Sequence, residues 1–164
     1  MGHLLSSARC KASGAGPLAE RAARTIGRAL DELGDHAAAC GVPLVYELLN
    51  RYETNLLTTM SERSGFLRSL KTRTYVYCRL IYMNIEEANV AQGLRDAGQY
   101  LGHVHFVDSN RRAAGLGHTD FGPIAAALRR AQLRWICSGR SLPLPDSDTA
   151  AKKTIESYRR LFKT

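Results

Sequence analysis

Stretches with an apolar residue every third or fourth position alternate along this chain with short apolar runs of high β-propensity. No other feature restricts the fold as much, because such alternation builds βαβ units around a buried parallel sheet. Pro17 suits a first helical turn, and Leu18, Ala22, Ile26, Leu30, Leu33, Ala37 and Cys40 form a stripe that Gly41 stops. A strand is expected over 42–48, with Glu47 as its carboxylate, then a polar turn over 50–55 and a second helix from near Thr54. Ser, Arg and Gly break the helical pattern over 60–73. A strand over 75–82 follows, with Arg79 inside it, where a buried strand does not accommodate an unpaired charge. Asn84, three residues before Glu87, resembles a capping box and opens a helix that runs to Ala97. Further expectations are a strand over 102–107, a helix from Asp120 through Ala131, a strand over 133–137, and a last helix from near Asp148. That last helix should turn Ala151, Ile155, Tyr158 and Phe162 inward. Residues 1–16 are Gly- and Ser-rich and read as a loose arm.

The strand over 102–107 carries two histidines, His103 and His105, which alternation puts on one face, with Val104 and Phe106 on the other. Two imidazoles and an arginine, Arg111, just past the strand suggest a metal or anion site. The competing reading is a strand whose histidines bond locally. Parallel sheets place their sites at strand C-terminal ends, and Glu47 and His105 both fall near such ends.

Composition narrows the class. A chain of 164 residues, 45% hydrophobic and 23% charged, is an ordinary globular domain with a real core. No apolar run approaches the ~20 residues of a membrane span, and the N-terminus shows no signal-peptide pattern. Cys10, Cys40, Cys78 and Cys137 form no Cys-x-x-Cys pair, so they read as reduced thiols in the cytoplasm. The net charge of +8 gathers in two blocks, +4 over 60–82 and +5 over 111–140. These arginines are not interleaved with aromatics on a helix face, which disfavours a nucleic-acid surface.

Four stretches together resemble the sugar phosphate isomerase/epimerase family, the xylose isomerase-like TIM barrels that include ketose 3-epimerases. They are Leu44 to Asn55, Met83 to Ala88, Gly102 to Arg111 with Gly115 to Phe121, and Leu142-Pro143-Leu144-Pro145-Asp146. The resemblance implies an α/β fold, a parallel partial (β/α)8 TIM barrel with about the last four strands and their helices, over 17–164. It implies metal-assisted proton transfer beside a carbonyl of a ketose or related sugar, and a divalent metal (Mn, Co or Mg) held by Glu, Asp, His and Glu. By the resemblance, Glu47 is the catalytic and metal-binding glutamate and His105 the metal-binding histidine. Glu53 and Arg111 are the substrate contacts. The remaining positions depart from the pattern: Arg79 stands where the metal aspartate belongs, Tyr82 where a substrate histidine belongs, and Arg140 where the closing glutamate belongs. The departures cluster over 60–82 and 132–141, as short reading-frame slips would produce. The activity is therefore expected to be degenerate. Alternatives are a non-catalytic remnant, a half-barrel that binds a sugar phosphate or forms a homo-oligomer, and, disfavoured, an endonuclease IV-like enzyme. The expected partner is a small sugar or sugar phosphate, with no membrane. His36 reads as a surface residue, His103 as structural and His118 as a loop hydrogen-bond partner. Trp135 and Tyr77 read as packing, and Glu86 and Glu87 as a solvated helix start.

Overall fold

The computed structural model describes residues 4–5, 16–71, 74–131 and 137–162, with backbone alone at 4–5, 74–79, 81–82 and 137. Among these, five strands form one parallel sheet in the order β1-β2-β3-β4-β5. They are β1 (Leu4–Leu5), β2 (Leu44–Glu47), β3 (Thr74–Arg79), β4 (Leu101–His105) and β5 (Cys137–Ser138). Helices α1 (Pro17–Ala39), α2 (Met60–Arg68), α3 (Leu80–Glu86), α4 (Val90–Ala97), α5 (Phe121–Arg130) and α6 (Ser147–Phe162) connect and flank them. Strand order equal to chain order, with right-handed crossovers, puts every crossover helix on the same side of the sheet. That is the winding of a partial (β/α)8 barrel, as expected.

The loose arm is corrected at Leu4–Leu5. The edge of β2 offers unpaired backbone groups, and Leu4 and Leu5 pair with Val45 and Tyr46. The rest of residues 1–15 lies outside the described residues, as do most of the strand expected over 133–137 and Trp135.

The second helix starts at Met60 and not near Thr54. Thr59 accepts from the Glu62 amide at 3.3 Å, and the Glu62 carboxylate accepts from the Thr59 amide at 3.1 Å. This reciprocal cap is worth about 1 kcal/mol. The buried stripe of α2 is Met60, Arg63, Ser64 and Leu67. Its spacing is helical but half its members are polar, so hydrophobic periodicity alone misses it.

Strand β3 ends at Arg79, the register partner of His105, because β4 ends there and offers nothing further to pair with. The chain passes straight into α3, which buries Leu80 and Met83. Asn84 therefore lies within a helix, and the cap one helix later is Asn89, whose side chain accepts from the Gln92 amide at 3.0 Å. Helix α6 turns Tyr158 and Phe162 onto Phe106 in the core, as expected, but not the other two residues of the expected face. Ala151 and Ile155 are exposed, while Ala150 and Ser157 are buried. Ser157 Oγ donates to the Ala114 carbonyl at 2.6 Å, which turns that polar position inward. Helix α5 runs where expected, capped by Asp120, and buries Ile124, Ala127 and Leu128.

Candidate functional site

Two pairs of neighbours show which way the site faces. Tyr46 packs its ring on Phe66 of α2, with centroids 6.3 Å apart, and so points to the helix layer. Val104 is wholly buried in the core between the sheet and α4 and α5. Glu47, His103 and His105 alternate with them and so face the concave side of the sheet. Glu47 is in register with Tyr77 and Tyr77 with His103, so Glu47 and His103 stand level, two strands apart, or about 10 Å between backbones. His105 lies one pleat further along, at the C-terminal end. The His103 and His105 rings meet edge to face with centroids 5.4 Å apart. Glu47 and His105 are both buried, at 7% and 6% exposure, so a ligand here would meet them in a low-dielectric setting.

Burial lowers the affinity of both imidazoles for protons. For His105 the positive charge of Arg140 adds to burial, and its pKa is pushed down to about 4. The ring is therefore neutral at pH 7. His103 Nε2 lies 3.0 Å from Ser138 Oγ on β5, which agrees with a structural role.

Behind Glu47 stands Arg63, at 1% exposure. Its guanidinium donates to the backbone carbonyls of Glu47 and Leu57 and lies 4.5 Å from the Tyr46 ring centre. Burial pulls its pKa down to about 10, against the opposing pull of Tyr46, Glu62 and Glu47, so it stays charged at neutral pH. Arg63 anchors the end of β2 together with Leu57, which holds a left-handed φ of 54°. Its importance was hidden in the sequence, where it looked like part of a broken helix.

Asp108, also missed, is fully buried just after β4. Its carboxylate accepts from the amides of Ser109, Gly115, Gly117 and Thr119 at 2.8–3.1 Å. Burial alone would raise its pKa, but these donors together outweigh it and hold the carboxyl below its ordinary value. Gly115 and Gly117 were the available signal. A Cβ on Gly117 would lie 2.2 Å from Asp108 Oδ1. His118 Nδ1 meets Ser109 Oγ at 3.1 Å, the expected kind of loop hydrogen bond.

The two proposed substrate contacts sit on separate turns. Glu53 Oε2 accepts from Asn50 Nδ2 at 3.2 Å. Arg111 is exposed, with φ 62°, and its carbonyl accepts from the Leu142 amide at 2.6 Å. Glu86 and Glu87 are not a solvated helix start. Glu86 forms a two-pronged ion pair with Arg51 at 3.0 Å on each prong, and Glu87 accepts from the Met60 amide at 2.6 Å. The Arg51 partner holds the Glu86 carboxyl below its ordinary value against burial, whereas burial raises that of Glu87. His36 is exposed on α1, as expected.

A divalent metal of the kind the resemblance implies needs about four donors. Among the described residues, no group of three His, Cys, Asp or Glu side chains converges to hold one. The cationic Arg140 acts on His105 where a further carboxylate would be needed. The described donor set does not fit the metal.

One-way winding of a parallel sheet, with an acid and an imidazole at the C-terminal ends of two of its strands, defines a (β/α)-barrel fold. The chain belongs to the xylose isomerase-like TIM barrel family, whose model matches residues 4–161. It is 33% identical over 135 residues to the L-ribulose 3-epimerase of Methylomonas sp. (strain DH-1), covering 82% of this chain and 47% of that protein. It is 39% identical over 103 residues to the D-psicose 3-epimerase of Enterocloster bolteae, covering 62% of this chain and 34% of that protein. The crystal structure of a D-allulose 3-epimerase from Methylomonas sp. superposes with a TM-score of 0.79 at 28% identity, over 93% of this chain and 59% of that one. The chain thus spans between a third and a half of the length of these curated relatives. No described helix is long and apolar enough to cross a membrane.

Proposed function

We propose that this chain is a sugar isomerase/epimerase-type half-barrel whose concave mouth takes a ketose or related sugar, and that metal-assisted proton transfer is degenerate in it. The observation that carries the reading is the placement of Glu47 and His105. Each ends a strand, on the concave face, in a chain whose relatives are ketose 3-epimerases.

Epimerisation beside a carbonyl needs a proton taken from carbon, a stabilised enediolate oxygen, and a proton returned on the opposite face. Glu47 is the group for the first task. Burial and a fixed strand end orient it, and Arg63 holds its backbone. The neutral His105 ring can bond a sugar oxygen. Glu53 and Arg111 extend the contacts outward from the turns after β2 and β4. Stabilising the enediolate is the task for which the described residues offer no metal donor set. Recognition is therefore retained and turnover is not.

The test is calorimetry with D-psicose and D-fructose, together with chromatography of D-fructose incubated with protein and Mn²⁺. The expected result is ketose binding that Glu47→Gln weakens about tenfold, since a charged acceptor is lost, and no conversion above background. Mn²⁺-dependent conversion abolished by Glu47→Gln would overturn the degeneracy. Absence of ketose binding would overturn the sugar site.

A further inference from the structure

We propose that helix α1 pairs antiparallel with α1 of a second copy of this chain, through the flank that turns away from α2. Helix α1 has three sides. One lies on the sheet, where Leu30 and Ala37 pack with Leu44 and Tyr46. A second meets α2 and the turn after it: a Cβ at Gly27 would touch Leu70 at 3.5 Å, and Asp31 accepts from the Lys71 amide at 2.8 Å. In the outer ring of a barrel a preceding helix would lie on the third side, and among the described residues no helix precedes α1.

That third side carries a seam. Leu18, Thr25, Ala29, Leu33 and Cys40 follow one another at steps of seven, four, four and seven, so they share one helix face. All five are exposed, Leu18 at 55% and Leu33 at 41%. The steps read the same in both directions about Ala29, which is what a twofold contact between antiparallel helices requires. Leu18 then stands level with the partner's Cys40 and Thr25 with the partner's Leu33. The small Ala29 at the crossing point lets the two helices approach closely.

The charges of α1 complement themselves in the same sense. Its first half holds Arg21, Arg24 and Arg28 against Glu20, and its second half holds Asp31, Glu32 and Asp35 with no lysine or arginine. Parallel pairing would set arginine against arginine. Antiparallel pairing about Ala29 brings Arg28 within two residues, about 3 Å along the axis, of the level of the partner's Glu32, and Arg21 equally near that of the partner's Asp35. All four of these side chains are exposed, and neither described ion pair includes them. Exposed ion pairs contribute little affinity, so they set the orientation while burial of Leu18 and Leu33 supplies the attraction. Such a twofold also reverses the strands of the second sheet. The pair therefore closes no barrel, whose strands all run one way.

The experiment is sedimentation equilibrium on the full chain, repeated on Arg28→Glu, on Glu32→Arg, on an equimolar mixture of these two variants, and on Arg130→Glu of α5, with folding checked by circular dichroism. Expected is a dimer with a dissociation constant on the order of 10 µM. Each of the two α1 variants sets like charges face to face and weakens it about tenfold or more. Mixing them restores the native affinity, because each copy then offers the other the opposite sign at both contacts. Arg130→Glu, an equal change of charge on another helix, leaves the dimer intact. A native chain that stays monomeric at about 100 µM would overturn the proposal and leave the flank to a different partner. A dimer indifferent to both α1 variants would place the interface elsewhere and overturn it. Weakened variants that do not recover on mixing would exclude the antiparallel pairing and overturn it as well.

Discussion

Arg63 carries a full charge through the layer between α2 and the sheet, and its neighbours explain how the fold tolerates it. The guanidinium satisfies two carbonyls, one on β2 and one on the loop before α2, and stacks on Tyr46. Arg63→Ala would take this donor from the buried Glu47 carbonyl and the half-buried Leu57 carbonyl and open a cavity beside them. A loss of about 3 kcal/mol in urea unfolding is expected. A change within 0.5 kcal/mol would mean that water replaces the guanidinium, as on a surface. No pattern of residue types around position 63 announces this role. The partners are backbone atoms from 6 and 16 positions away in the chain, and backbone atoms leave no trace in composition.

The loop between β4 and α5 is a structural unit in its own right, folded around the Asp108 carboxylate. Gly117→Ala is expected to open it, because the new methyl would overlap that carboxylate. The expected signs are increased proteolysis between 109 and 118 and about 2 kcal/mol of lost stability. Acid should act on the same unit. The folded-state pKa of Asp108 is depressed, so its stabilisation is fully present above the unfolded value of about 4 and fades as pH falls through the lower folded value. Amide exchange at Gly115, Gly117 and Thr119 should quicken in that acidic window in the native chain and not in Asp108→Asn. Protection that stays flat with pH would remove the carboxylate from this role. Helix α5 was readable because periodicity reports burial; in α1 the stripe located the helix and Leu30 and Ala37 are buried, but Leu18, Leu33 and Cys40 are exposed while Gly27 and Gly34 are buried. The buried face of α2 and part of that of α6 were misread because Arg63 and Ser157 occupy buried positions through hydrogen bonds to distant carbonyls, and Ser64 through the Met60 carbonyl one turn back.

The assembled sheet brings together positions remote in the chain. Arg79 takes the register place opposite His105 on β3, and Arg140 follows β5 two residues beyond that histidine's other partner. If these two substitutions are what removed the metal, reversing them should restore it. Arg79→Asp combined with Arg140→Glu is expected to take Mn²⁺ from no measurable binding to a dissociation constant on the order of 10 µM by calorimetry. Glu47→Gln in that background should abolish the gain. A double variant that folds and still ignores Mn²⁺ would show that the two positions do not converge with Glu47 and His105.

Local chemistry dictated the succession of helices and strands, the parallel sheet, and the placing of Glu47 and His105 at strand ends, since each follows from periodicity and spacing within a few residues. Packing settled where α2 and α3 begin, which face of α6 turns inward, how Leu4 and Leu5 extend the sheet, and why Arg63 and Asp108 can be buried. Those outcomes depend on backbone donors and acceptors that distant segments supply, and a linear string of side chains does not show where such groups will meet.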